Sequence, residues 1–226
     1  MLVNADFSRR AIVAPTEYQW VASPLSGVER VMLDRLGDEK ARATSIVRYA
    51  PGSGYSPHLH PGGEEILVLS GTFSEGGKHY PAGWYLRNPP GSSHQPFSDE
   101  GALIFVKLWQ MRADESRPVR IDTCDASRWA VKDGRESCLL FADRTEHVSI
   151  ERLTAGARVF AGPVEGAEIL VLEGCLLDSA QQHGPGSWIR LPAGEYLAFI
   201  AGSAGATMYL KTGHLSSHAR EASAPC

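Results

Sequence analysis

Cysteine is scarce in this chain: there are four in 226 residues (Cys124, Cys138, Cys175 and Cys226), far apart and with no CxxC pair. That spacing argues against a zinc knuckle and against a disulfide framework, and leaves reduced thiols in a cytoplasmic protein as the expectation. Each cysteine then reads as a small buried hydrophobe, except Cys226 at the terminus. Long apolar runs are missing too; none approaches the ~20 residues that cross a bilayer. The opening MLVNADFSRR has no apolar core segment and carries Asp6, Arg9 and Arg10, so it does not read as a secretory signal. Nor is there a basic excess. With 22 Lys and Arg against 26 Asp and Glu, the net charge is -4 and the cations are scattered, which leaves no footprint for nucleic acid. Sustained helical periods are absent as well.

What is plentiful is Gly (23) and Pro (14), spread along the chain and bounding short β-branched and aromatic runs. Such punctuation predicts many short strands joined by turns. The order within it is a repeat. EILVLSG (65–71) returns as EILVLEG (168–174), and GWYLRNPPG (83–91) returns as GSWIRLPAG (186–194), both displaced by 103 residues. Two segments at one offset predict a duplicated all-β domain, arranged as antiparallel barrels or sandwiches. The polar stretch MRADESRPVR (111–120) supplies the boundary. The expected division is 1–112, a linker 113–120, and 121–226. The first 40 residues look irregular, and could include a strand that pairs with the other half or with a second subunit.

The chemistry lies in the first half. His58 and His60 are two apart, so on a strand they point to one face. Glu64 and Glu65 follow a Pro-Gly-Gly turn, and His94 arrives after the second repeated segment, Gly83 to Gly91. Adjacent strand residues face opposite ways, so only one of the two glutamates can join the histidines. Resemblance to a known motif spacing, counted back from Gly71, implies Glu64, the favoured candidate, whereas the commoner four-residue gap after the second histidine implies Glu65. Three imidazoles and a carboxylate suit zinc, iron, manganese, nickel or copper. An isolated histidine is usually just a polar residue, and His79, in the intervening hairpin, is read that way.

The spacings G(X)5HXH(X)3E(X)6G and G(X)5PXG(X)2H, as they stand in 52–71 and 83–94, resemble the two motifs of the cupin superfamily. Ser98 replaces the Asn that usually ends the second motif. The resemblance implies two tandem cupin barrels, of which the second is degenerate. Gly162 and Val164 stand where His58 and His60 stand, Leu197 replaces His94, and Glu168 alone survives, aligned with Glu65. RATSIVRYAPGS, HPGGEEILVLSGTFS, YLRNPPGSSHQPFS and FVKLWQ are more specific, and resemble the cupin domain of ChrR-type anti-sigma factors over 42–110. That likeness implies His58, His60, Glu64 and His94 as metal ligands and zinc as the first expectation, with iron, manganese and nickel behind it. It implies a regulatory or sensing role; the alternative is a metal-dependent dioxygenase acting on a small diketone-like or acidic molecule. The sigma-binding activity is not carried over, because no His and no Cys precede residue 41 to build the zinc-holding helical domain that such factors place ahead of their cupin. A small-molecule ligand and a homodimer are the expected partners, with no membrane and no nucleic acid. Arg42, Arg48, Arg87 and Lys107 are candidates to line the barrel beside the metal, and Tyr55, Tyr85, Phe97 and Trp109 are candidates for its wall or core.

Overall fold

The computed structural model describes residues 1–38, 40–132, 134–179 and 181–215; Cys226 lies outside them. Among the described residues there is no α-helix, only two single-turn 3-10 segments, Pro15–Glu17 and Ala126–Arg128. The rest is antiparallel strand and turn, so the all-β expectation holds, and no helix is long and apolar enough to cross a membrane.

The chain forms two compact units. The first comprises Met1–Ala5 with Gln19–Cys124, and the second Asp6–Tyr18 with Asp125–Cys226. In the first, the strand path runs Leu2–Val3, Val28–Leu36, Arg42–Tyr49, Ala102–Leu108, Glu64–Glu75, Trp84–Asn88, Val119–Asp122. In the second it runs Trp129–Lys132, Arg135–Ala142, His147–Leu153, Ile200–Thr212, Val164–Leu177, Trp188–Gly194, Ala11–Val13. The two paths match strand for strand through their middles, which is the structural form of the sequence repeat. Surface details repeat with them. Arg48 lies 4.1 Å over Trp20 and bonds Glu29, as Arg152 lies 3.8 Å over Trp129 and bonds Glu136.

The units do not follow the boundaries read from composition. The expected linker 113–120 runs into a strand, Val119–Asp122, that pairs with Trp84–Asn88 and completes the first sheet. In turn, Ala11–Val13 pairs with Trp188–Gly194 in the second unit. One strand of each sheet is therefore supplied from the far side of the sequence boundary, because short runs such as VRID and AIV carry too few apolar residues to announce a partner.

The first part of EILVLSG, residues 65–68, is buried on both faces, which is why it reads as an unbroken apolar run. Ile66 and Val68 point into the first barrel with Val47, Tyr49, Phe73, Tyr80, Leu86, Ile104 and Val106. The run ends at Gly71, whose φ of +68° is left-handed, and a Cβ there would fall on the carbonyl oxygen of Gly101. Gly174 (φ +66°) makes the same approach to Gly205. Both echoes end in glycine because the backbone crossing there leaves no room for a side chain.

Candidate metal centre

Strand alternation decides between the two glutamates. Glu64 lies on the barrel face with Ile66, in register with Asn88 and Leu108 on its neighbours. Glu65 faces the other way, in a buried row with Arg87 and Lys107; Arg87 Nη1 donates to Glu65 Oε2 at 3.2 Å and Lys107 Nζ to Thr44 Oγ1 at 3.1 Å. The Pro-Gly-Gly turn then brings His58–His60 back across the barrel mouth, where it pairs with Ser92–His94 and sets His58 opposite His94.

The result is one cluster. Ligand atoms of His58, His60, Glu64 and His94 all lie within 4.8 Å of one another, a group that could hold a metal ion. The rings sit nearly edge-on, with centroids 4.4 to 4.9 Å apart. Glu64 Oε2 is 3.4 Å from Nε2 of both His60 and His94. Two donors each about 2.1 Å from one ion stand about 3.0 to 3.4 Å apart at octahedral to tetrahedral angles, so these separations already suit coordination. The Nδ1 atoms are engaged elsewhere: His58 with the carbonyl of Ser56 at 2.9 Å, His60 with Ser92 Oγ at 3.2 Å, and His94 with Glu75 Oε2. That leaves Nε2 as the inward atom, and Nε2 of His60 and of His94 is buried with no protein hydrogen bond. Buried nitrogens aimed at a common point, with their opposite edges held, are the arrangement a metal requires.

The electrostatics agree with this reading. Burial holds the His60 imidazolium below its usual range, helped by His94 and His58 and opposed by Glu64, which favours the neutral ring that binds metals. At Glu75 burial acts to raise the carboxyl, but the hydrogen bond from His94 and the charge of Arg120 outweigh it and hold the group low. Tyr49, on the barrel wall, is pushed well above the usual phenol range by burial, then by Glu64 and Tyr55.

A cavity of about 460 Å³ opens on this cluster. His58, His60 and Glu64 form one side; Tyr49, Tyr55, Ile104, Val106 and Trp109 supply much of the rest; and Arg30, Arg35 and Lys40 bring positive charge. These cations are not the ones the sequence suggested. Arg87 and Lys107 belong to the opposite face of the sheet, Arg48 is on the surface, and Arg42 is buried but is not part of the cavity wall. Of the aromatic candidates, Tyr55 lies 5.7 Å from the His58 ring and Trp109 flanks the mouth, whereas Tyr85 is buried on the far face in register with Leu67. Phe97 instead packs on His79, which bonds Ser74. Trp109 has φ +58°, a strained value for a bulky residue, and rests on the Pro-Gly-Gly turn through a bond from its N–H to Gly63 at 3.2 Å.

The sequence reading missed Glu75, Asn88 and Arg120. Asn88 Nδ2 donates to Glu64 Oε2 at 3.0 Å, while Arg120 Nη2 reaches Asn88 Oδ1 and Glu75 Oε1, both at 2.6 Å. Among its described residues the second unit has no such ligand cluster. Ala167 and Leu191 stand at the places of Glu64 and Asn88, and the barrel is filled by Phe160, Ile169, Leu176, Phe199 and Met208 among others. Val164 packs against that core, and Leu197 is 41% exposed. Glu168 faces away, bonding Trp188 Nε1 at 2.7 Å. Among the described residues the only cluster of metal-ligating side chains is the one in the first unit.

Barrel and site together define a cupin-fold protein with a potential metal centre. More narrowly, residues 8–112 match the family model described as the ChrR Cupin-like domain. No curated protein matches. Similar solved structures include a candidate dioxygenase from Nostoc punctiforme (14% identity, 92% of this chain and 84% of that one, TM-score 0.73). A bacterial pirin from Escherichia coli in complex with nickel(II) aligns at 13% identity over 90% and 98% of the two chains, TM-score 0.66. A cupin 2 conserved barrel domain protein from Leptotrichia buccalis aligns at 13% identity over 85% and 92%, TM-score 0.58. At these identities the likeness establishes the fold.

Proposed function

We propose that His58, His60, Glu64 and His94 bind a divalent metal ion, and that the protein is a metal-dependent enzyme of the oxygenase or a related class acting on a small organic anion. The observation that carries this reading is the cavity that joins the cluster to Arg30, Arg35 and Lys40. A ligand entering it meets cations that attract a carboxylate or enolate and apolar walls that exclude water from its body. Four protein ligands on an ion that accepts five or six leave positions for such a molecule, and the bound metal would polarise its oxygen or activate dioxygen. The Nostoc candidate dioxygenase and the nickel-bound pirin share the fold and lend this class support.

The family match favours a second reading, a regulatory cupin of the ChrR type that holds zinc and reports on ligand or oxidant. Metal analysis of protein purified without added metal separates the two. Iron, manganese or nickel at one per chain, with oxygen uptake on a panel of small carboxylates and diketones, is the expected result. Tightly held zinc with no turnover on that panel overturns the enzyme in favour of the sensor. Protein that takes up no divalent metal at all overturns both.

A further inference from the structure

We propose that Arg120 is a positioning residue for the metal centre, so that the working unit extends past residue 112 to the strand Val119–Asp122. This rests on the assignment of His58, His60, Glu64 and His94 as ligands.

The guanidinium of Arg120 holds the outer partners of two of those four residues. Through Nη2 it donates to Glu75 Oε1 at 2.6 Å, and Glu75 Oε2 in turn meets His94 Nδ1. Through Nη2 it also donates to Asn88 Oδ1 at 2.6 Å, and Asn88 Nδ2 donates to Glu64 Oε2 at 3.0 Å. The second link has a directional consequence. A cation can bond only the oxygen end of an amide, so Arg120 admits one orientation of Asn88, the one that turns its NH2 toward Glu64. The first link fixes a tautomer. With Glu75 Oε1 taken up by Arg120, Oε2 is the acceptor for Nδ1–H, which leaves the Nε2 lone pair of His94 facing the cluster. Arg120 is itself pinned, since Nη1 donates to the carbonyls of Arg87 at 3.1 Å and Val119 at 2.7 Å, and its guanidinium carbon lies 5.7 Å from the Tyr80 ring centre.

The second unit supplies an internal control. Asp178 stands 103 residues after Glu75 and pairs with Arg10. There the carboxylate bonds His183 Nε2 at 2.9 Å, the His183 ring stacks on Phe199, and Leu191 occupies the place of Asn88. An arginine–carboxylate pair thus persists where the described residues hold no ligand set. What is peculiar to the first unit is the double link to Glu64 and His94.

The test uses the full chain, with zinc affinity read by indicator competition, the visible spectrum of the cobalt(II)-loaded protein, and the melting point of the metal-free protein. Arg120→Met is expected to weaken zinc binding by about 10- to 100-fold, the range for outer partners of metal ligands, and to shift the cobalt bands. Arg120→Lys should recover part of the affinity, because an ammonium can stand in for Nη2 but lacks the second nitrogen, Nη1, whose bonds to the carbonyls of Arg87 and Val119 hold it in place. Arg10→Met should lower the melting point without changing affinity or spectrum. Wild-type affinity and spectrum in Arg120→Met, or an equal loss in Arg10→Met, overturns the proposal. If Arg120→Met does not fold, Asn88→Leu carries the same expectation, and wild-type affinity in that variant counts against it equally. Failure of the wild-type chain to bind zinc or cobalt defeats the ligand assignment instead, and shows before any variant is compared.

Discussion

Adjacent residues with opposite fates provide the sharpest experiment. Glu64→Gln and Glu65→Gln are the same chemical change one residue apart, on opposite faces of one strand. Glu65 is 3% exposed and its partner Arg87 only 2%, with Nη1 and Oε2 3.2 Å apart. Removing one member of a buried pair costs about 3 to 5 kcal/mol, because the other charge is left without compensation. In a chain of this size each kcal/mol moves the melting point by about 2 to 4 °C, so Glu65→Gln should lower it by roughly 6 to 20 °C. Glu64 bonds Asn88 and faces the rings of His60 and His94; an amide there keeps most of the packing, and the metal-free protein should melt within about 3 °C of wild type, as for a change near 1 kcal/mol. Metal affinity should show the reverse pattern. Glu64→Gln loses an anionic ligand and should fall by more than the 10- to 100-fold typical of outer partners, while folded Glu65→Gln keeps its affinity. Differential scanning calorimetry and a zinc-indicator titration measure the two axes. A Glu65→Gln protein of unchanged stability that no longer binds metal would refute the facial assignment.

Further outcomes follow from the same geometry. Metal that binds only the folded chain should stabilise it by about 2.7 kcal/mol at one hundred times its Kd, so a chelator lowers the melting point of wild type and leaves a His58→Ala, His60→Ala variant unmoved. Gly62→Ala would place a Cβ 2.6 Å from the Trp109 ring and 2.7 Å from its Cα; a cost of about 1 to 3 kcal/mol and an altered tryptophan fluorescence are expected, and a neutral outcome would mean that Trp109 does not rest on the turn. In the second unit, burial raises the Tyr18 phenol from 10.0 to about 12 while its hydroxyl donates to Gly186 at 2.6 Å. A raised folded value contributes stability that is complete below the unfolded value and lost as pH climbs through the folded one. Stability should therefore decline between pH 10 and 12, less steeply in Tyr18→Phe, as alkaline melts would show.

Much of the fold was legible in the residues themselves, and for physical reasons. EILVLSG and EILVLEG read as central strands because a strand covered on both faces has no polar side to display, and their terminal glycines marked backbone crossings. His58 and His60 were legible as a pair because residues two apart on a strand share a face, and Glu64 and His94 through the resemblance to the two motif spacings. The failures have equally local causes. Arg87 and Lys107 read as cavity cations because alternation says which residues share a face, not which face is lined by the cavity. Arg30 and Arg35 lie within the strand Val28–Leu36 beside the charged Glu29 and Asp34, and Lys40 follows it, so none of the three stands out from its neighbours. Asn88 and Arg120 sit 24 and 56 residues beyond Glu64 along the chain, and nothing in their neighbourhoods sets them apart from other polar residues.

The division is therefore one of range. Periodicity, turn residues and the internal repeat determined the strands, the duplication and the first ring of candidate ligands, because these depend on which neighbours lie within a few positions along the chain. Only the tertiary structure decided that Glu64 rather than Glu65 meets the histidines, that one barrel is hollow while its copy is filled, and that strands on either side of the sequence boundary change units. Those choices depend on register between strands far apart in sequence, where a shift of one residue turns every side chain to the other face, and no single stretch of residues carries that information.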